Sequence, residues 1–259
     1  LKEHFIVSFV GGTSGRFISG LLWNMLSGTT LAIPYTNDNS SHLYDGYINS
    51  WDVSTAADIH SVDIYSEFKF LHNQDIGVFY SHTYPNFTHI ETHIPNSKII
   101  IVSFTESDIA EIAGNNLFKN QLAALSAYEK SGHIGDQIGL DHFLRLYRRT
   151  FSTSYSAGAV GSLSSDDIHK LCNNLHLTMV MAHYNRDFIN PRIPELLKDR
   201  TLVLPYKDLY TKDENNYVGL TKIAAFANRT PDESVIDSYC RYVDGRNTFL
   251  KEKLPWVTP

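Results

Sequence analysis

The sequence predicts an α/β fold, a three-layer αβα arrangement with a mostly parallel central sheet and helices on its faces. Three observations carry that prediction. Short apolar runs of strand length recur at residues 5–10, 77–81, 99–104 and 201–205, and such runs read as buried strands. Segments of helical periodicity fall between and after them, as the crossovers of a parallel sheet require. The first run passes straight through a glycine-rich turn into an amphipathic helix.

Taken in order, strand 5–10 is followed by Gly11, Gly12, Thr13, Ser14, Gly15 and Arg16, and then by a helix over 17–26. Residues 32–50, rich in Asn, Ser, Tyr and Asp without periodicity, read as a long loop. Strands 77–81 and 99–104 come next, then helices over 108–118, 121–128 and 142–149. A second loop, rich in Ser and Gly, covers 150–165, and a helix over 165–174 precedes strand 201–205. Helices over 217–227 and 231–243 complete the pattern. Two helix starts are signed by their residues. Ser107 stands before Asp108, Ile109, Ala110 and Glu111, and Thr230 before Pro231 at the first helical position with Asp232 and Glu233 in the first turn.

A chain of 259 residues can bury one sizeable core, and no low-complexity linker, charge block or internal repeat divides it, so one domain over 1–259 is expected. The hydrophobic share of 42% is that of a globular protein. Apolar runs as short as 99–102 cannot span a bilayer, and neither a membrane segment nor a signal peptide is expected. A formal net charge of -6 argues against nonspecific nucleic-acid binding, despite the local cluster Arg145, Arg148 and Arg149. Cys172 and Cys240 form neither a disulfide framework nor a metal spacing, which fits a reducing, cytoplasmic interior. His82, His89 and His93 come nearest to a metal pattern. Ile90, Glu91 and Thr92 between the last two do not make H-E-x-x-H, so no metal is expected.

The strongest chemical signal is the turn at 11–17. A strand entering a glycine-rich turn and then a helix gathers backbone N–H groups and the positive end of the helix dipole around one concavity, a seat for an anion. Arg16 in the first helical turn opposes the dipole unless an anion is there to meet it. The segment nearly fits the P-loop pattern G-x-x-x-x-G-K-[ST]. It departs from it with Val10 for the first glycine, Arg16 for the lysine and Phe17 for the hydroxyl residue that holds magnesium. Those departures disfavour a metal-assisted ATPase or GTPase and leave a phosphate cradle suited to metal-free group transfer.

The order of these pieces resembles the sulfotransferase family, the P-loop-containing enzymes that use 3′-phosphoadenosine 5′-phosphosulfate, and the resemblance spans nearly the whole chain. The family's first loop, P-[KR]-S-G-T-T-W, lies over residues 12–18: Ser14 and Gly15 match, its basic residue falls on Thr13, and its threonines fall on Arg16 and Phe17. Residues 79–85 resemble its strand end K-T-H-x-P, with His82 on the catalytic base. The stretch from Lys98 follows its K-x-I-Y-V-x-R-x-P-x-D-V-A-x-S, keeping the hydrophobic frame and Asp108, although the two 3′-phosphate ligands, an arginine and a serine, fall on Phe104 and Ile112. Residues 201–209 resemble its strand and Y-E-D-L turn through Tyr206 and Asp208, read here as a structural anchor of the sheet end.

What the resemblance implies is transfer of a sulfuryl group from 3′-phosphoadenosine 5′-phosphosulfate to a hydroxyl or amine acceptor. His82 would be the general base and Arg16 the contact to the 5′-phosphosulfate. Gly11, Gly12, Thr13, Ser14, Gly15, Arg16 and Phe17 would line the donor's 5′ end. With Phe104 and Ile112 unable to hold a 3′-phosphate, its contacts would fall to Arg145, Arg148, Arg149 or Arg246. The alternative is a catalytically degenerate relative that keeps the fold as a phosphate-binding, nucleotide-binding or structural module. A magnesium-dependent nucleotide kinase is weakened by Phe17.

Overall fold

Every one of the four apolar runs is a strand in the computed structural model, which describes residues 3–28, 50–52, 76–81, 84–132, 137–155, 163–181, 186–213 and 216–256. The strands are β1 (Glu3–Ser8), β2 (Ser50–Asp52), β3 (Ile76–Ser81), β4 (Lys98–Ser103) and β5 (Thr201–Pro205). The three-residue β2 lies at the end of the stretch read from sequence as a loop. The helices are α1 (Gly15–Ser27), α2 (Phe87–His93), α3 (Ile109–Asn116), α4 (Ala123–Ser131), α5 (Gln137–Phe151), α6 (Ser165–Met181), α7 (Arg186–Ile189), α8 (Val218–Ala227) and α9 (Glu233–Lys253).

The sheet runs β2-β3-β1-β4-β5, and every neighbouring pair is parallel. In register, Val7 of β1 stands between Tyr80 of β3 and Ile100 of β4. After its first residue, each of β1, β3 and β4 is buried throughout. Successive side chains point to opposite faces, so both faces of these central strands are covered, as expected of parallel strands within helical layers. The fold is α/β.

β1 stops at Ser8, two residues short of the sequence expectation. The Phe9 N–H still bonds to the Ser81 carbonyl at 2.9 Å, but Val10 opens the turn, its carbonyl accepting the Thr13 N–H at 3.0 Å. The strand therefore ends where its backbone is claimed by the glycine loop.

The chain divides into two compact units. One is drawn from Leu1–Tyr35, Asp45–Thr105 and His183–Arg246 and contains the sheet; the other is drawn from Thr36–Tyr44, Glu106–Ala182 and Asn247–Pro259. In the sheet unit α1 packs on β1 and β3, α7 on β4, and α8 on β5. In the helical unit α3 and α5 pack on α6, and α3 passes into α4 through a π-helical turn, Leu117–Leu122. Helices predicted at 108–118 and 121–128 are thus joined without a loop.

Helix starts differ from the sequence reading in ways the hydrogen bonds explain. Asp232, not Thr230, caps α9: its Oδ1 accepts the Val235 N–H at 2.9 Å and its carbonyl accepts the Ile236 N–H at 3.0 Å, which leaves Pro231 just outside the helix. Ser107 lies inside a 3-10 turn, Glu106–Asp108, that precedes α3, and Asp108 stands at the N-cap position. At α6, Ser164 and Asp167 form a reciprocal capping box, with Asp167 accepting the Ser164 N–H at 3.1 Å and Ser164 Oγ accepting the Asp167 N–H at 3.2 Å.

Candidate functional site: the glycine loop of the sheet unit

The loop leaves the carboxyl end of β1, the middle strand of the sheet. Residues 10–13 form a β-turn closed by the Thr13 N–H and, in parallel, by the Thr13 hydroxyl, which donates to the Val10 carbonyl at 2.7 Å. Gly12 takes a φ of 97° at the third turn position, where a side chain would be strained. Thr13 is fully buried, so its hydroxyl builds the turn.

Gly15 is required for packing. A Cβ there would lie 1.9 Å from Cδ1 of Phe9, so the ring of Phe9 occupies the space that the missing side chain leaves. The Phe9 ring in turn lies 6.1 Å from that of Tyr80 on β3. Over Tyr80 stands Arg16, its guanidinium carbon 5.1 Å from the ring centroid. That cation–π contact fixes the arginine beside the loop while leaving its charge half-exposed.

Ser14 is the N-cap of α1, in the left-handed conformation with φ 64° and ψ 22°, and its side chain does not cap the helix. Its hydroxyl is engaged elsewhere. Tyr242 of α9 donates to Ser14 Oγ at 2.7 Å, and the Tyr210 hydroxyl lies 2.7 Å from the same oxygen. Burial holds Tyr242 well above the usual tyrosine range, and the nearby Tyr210 pushes in the same direction, so it remains a protonated donor. Arg246 stands over Tyr210, its guanidinium carbon 3.9 Å from the ring centroid.

Phe17 is buried against the tyrosines of α9. Its ring stacks on Tyr242 at 3.6 Å and 4° and meets the edge of Tyr239 at 5.2 Å, contacts worth about 0.5–1.5 kcal/mol each beyond the area they bury. The Tyr239 hydroxyl donates to the Leu209 carbonyl at 2.8 Å. Asp208, in the 3-10 turn Tyr206–Leu209 after β5, pairs with Lys222 of α8 at 2.6 Å. Tyr206 is buried beside Tyr210, with ring centroids 5.2 Å apart. The anchor read from Tyr206 and Asp208 thus holds the turn that carries Tyr210.

The loop therefore gathers Gly11 to Phe17, Arg16, Tyr210, Tyr242 and Arg246 in one unit. His82 lies outside the described residues, as do the side chains of His89 and His93. Phe104 is buried and stacks on Phe188 at 6.3 Å, and Ile112 is fully buried in α3; both are core residues of their units. Arg145, Arg148 and Arg149 are exposed on α5 of the helical unit.

Sequence reasoning missed Tyr210 and Tyr242. They lie 196 and 228 residues from Ser14, and no local pattern links them to the loop. The signal nearest to them was the Tyr239 and Tyr242 spacing in α9, which reads as a core stripe.

The helical unit carries a cavity of about 510 Å³, lined in part by His169, Cys172, His176 and Trp256. Burial pushes the Cys172 thiol up to about 12, so it is an unreactive thiol. Among the described residues no group of three His, Cys, Asp or Glu could hold a metal ion, and no helix is long and apolar enough to cross a membrane.

Comparison with protein-family models, curated proteins and solved structures gives no match.

Proposed function

We propose that the sheet unit is a P-loop-like, sulfotransferase-like module whose glycine loop seats the 5′ end of 3′-phosphoadenosine 5′-phosphosulfate. One observation carries the reading: the loop joins the carboxyl end of the central strand to α1 at the point where the chain places β3 on one side of β1 and β4 on the other. In open parallel sheets ligands collect outside the strand ends at such a switch point. The first turn of α1, to which the Ser14 side chain gives no cap, and the half-exposed Arg16 give that place the electrostatics an anion needs.

On this reading the donor supplies the sulfuryl group. Its sulfur leaves the bridging phosphate oxygen and bonds to an acceptor hydroxyl or amine. The bond's electron pair goes to the departing adenosine 3′,5′-bisphosphate. Arg16 and the first-turn N–H groups of α1 hold the phosphate oxygens as charge builds on them, and His82 takes the acceptor's proton. The chemistry needs no metal ligand in the loop. The 3′-phosphate falls to Arg246, one tyrosine away from Ser14, because Phe104 and Ile112 are core residues. We assign the activity to a cytoplasmic compartment, where Cys172 and Cys240, both unpaired, are at home.

The test is turnover. Incubation with the donor and a panel of hydroxyl and amine acceptors is expected to release adenosine 3′,5′-bisphosphate. His82→Ala and Arg16→Ala should each lower kcat/KM by at least about 100-fold, the usual weight of a general base or of a transition-state charge contact. Unchanged turnover in both variants would refute the assigned roles.

A second reading has its own support. Thr13 replaces a basic loop residue and spends its hydroxyl on Val10, and the two family 3′-phosphate positions are apolar. A chain that binds the bisphosphate without turnover on any acceptor would be the degenerate nucleotide-binding module.

A further inference from the structure

We propose that Tyr210 and Tyr242 are positioning residues: they clamp Ser14 in the left-handed conformation and so aim the first-turn N–H groups of α1. The proposal deepens the reading of the loop as the donor's seat and rests on it.

A serine at φ 64° is in a region that residues with a Cβ seldom enter unless their surroundings impose it. Here two hydroxyls impose it. Tyr242 donates to Ser14 Oγ at 2.7 Å, and Tyr210 meets the same oxygen at 2.7 Å. Both come from fixed positions. The Tyr242 ring is buried and lies flat on Phe17, within the helix that Ser14 begins. The Tyr210 ring is held between the guanidinium of Arg246 on its face and the ring of Tyr206 at 74°.

The clamp also accounts for a missing bond. An N-cap serine ordinarily turns its oxygen back on the first helical turn. Ser14 does not, because its oxygen is drawn to the two tyrosines. The N-cap side chain is thereby withheld from the first turn. Since α1 starts at the very next residue, the Ser14 torsions set the direction in which the Gly15 peptide and those after it point. Tyr242, kept protonated by burial, remains a donor across the working pH range.

The experiment is a mutant cycle with two readouts. Tyr210→Phe and Tyr242→Phe are made alone and combined with Ser14→Gly, which removes the hydroxyl the tyrosines hold and can enter the left-handed conformation but is not fixed in it. Affinity for adenosine 3′,5′-bisphosphate is measured by calorimetric titration, and the melting temperature is measured without ligand. With Ser14 present, each tyrosine variant should weaken binding by about fivefold, the worth of one neutral hydrogen bond. Ser14→Gly is itself expected to bind less tightly than the parent chain, and adding either tyrosine variant to it should change affinity little. Melting temperatures should show the same coupling.

Equal losses in both backgrounds, or no loss in either, would overturn the clamp. If the parent chain binds no bisphosphate, the donor reading fails and the melting-temperature cycle alone decides the clamp. Coupling there would uphold it, and strict additivity would overturn it.

Discussion

Gly15 carries the sharpest consequence at the scale of single residues. The ring of Phe9 sits where a Cβ would go, 1.9 Å away, so Gly15→Ala must push apart the strand end and the helix start. Overpacking of this kind costs about 1–3 kcal/mol. Urea denaturation should show a loss of that size, and Phe9→Leu combined with Gly15→Ala should cost less than the sum of the two single changes. Additive costs would mean that Phe9 is not what Gly15 accommodates. From the sequence, this glycine reads as one that lets a ligand approach the backbone. The residue that fills its space lies six positions earlier and is brought there only by the turn at Gly12, so composition and spacing could not separate the two roles. Arg16 was legible because its charge opposes the helix dipole locally. The partners of Ser14 were not, because they arrive from the far end of the chain.

Among the elements, α9 offers the cleanest test of local chemistry. Asp232 caps it through the Val235 N–H, and its Oδ1 also accepts the Ser234 hydroxyl at 2.6 Å. Chiefly through the Ser234 hydroxyl, and then through that N–H, its carboxyl is held below the usual range. A carboxyl with a depressed folded pKa stabilises the fold above its unfolded value of about 3.9. That contribution is lost as the pH falls through the lower folded value. Asp232→Asn keeps a capping oxygen but cannot titrate, so its melting temperature should fall less than the parent's between neutral pH and the acid limb. Asp232→Ala should melt lower at every pH above that limb. A parallel acid dependence in Asp232→Asn and the parent would assign the titration to other groups. The same logic holds for Asp167, whose carboxyl is held down first by the Ser164 hydroxyl. The seven-residue α2, Phe87–His93, was not read from the sequence, whereas the interiors of α1, α3, α4, α5, α6, α8 and α9 were legible from periodicity. The starts were less so, because Pro231 and Asp232 both suit a first turn, and only the direction of the Asp232 side chain decides between them.

For the whole molecule, the parallel sheet was the most legible feature. Runs such as 99–102 are apolar on both faces, and only a strand covered on both sides tolerates that pattern. What the sequence concealed was the edge strand β2, whose three residues at Ser50–Asp52 give too short a signal to register. It also concealed the division of the chain into two units, because the helical unit is assembled from segments far apart in sequence. The central claim about function resides in the sheet unit alone. There the loop at the end of the middle strand, with Arg16 beside it and the Ser14 side chain turned away from α1, is proposed to seat the phosphate end of an adenosine bisphosphate.

The most direct test of that claim is a thermal-shift titration with adenosine 3′,5′-bisphosphate, run beside adenosine 5′-phosphate, ATP with magnesium, and free sulfate. A ligand present at about one hundred times its dissociation constant stabilises the folded state by about 2.7 kcal/mol, which raises the melting temperature of a chain of this size by several degrees. Such a rise is expected with the bisphosphate, a smaller one with adenosine 5′-phosphate and little with free sulfate, and Arg16→Ala should abolish it. No rise with the bisphosphate, or a rise that Arg16→Ala leaves intact, would contradict the account.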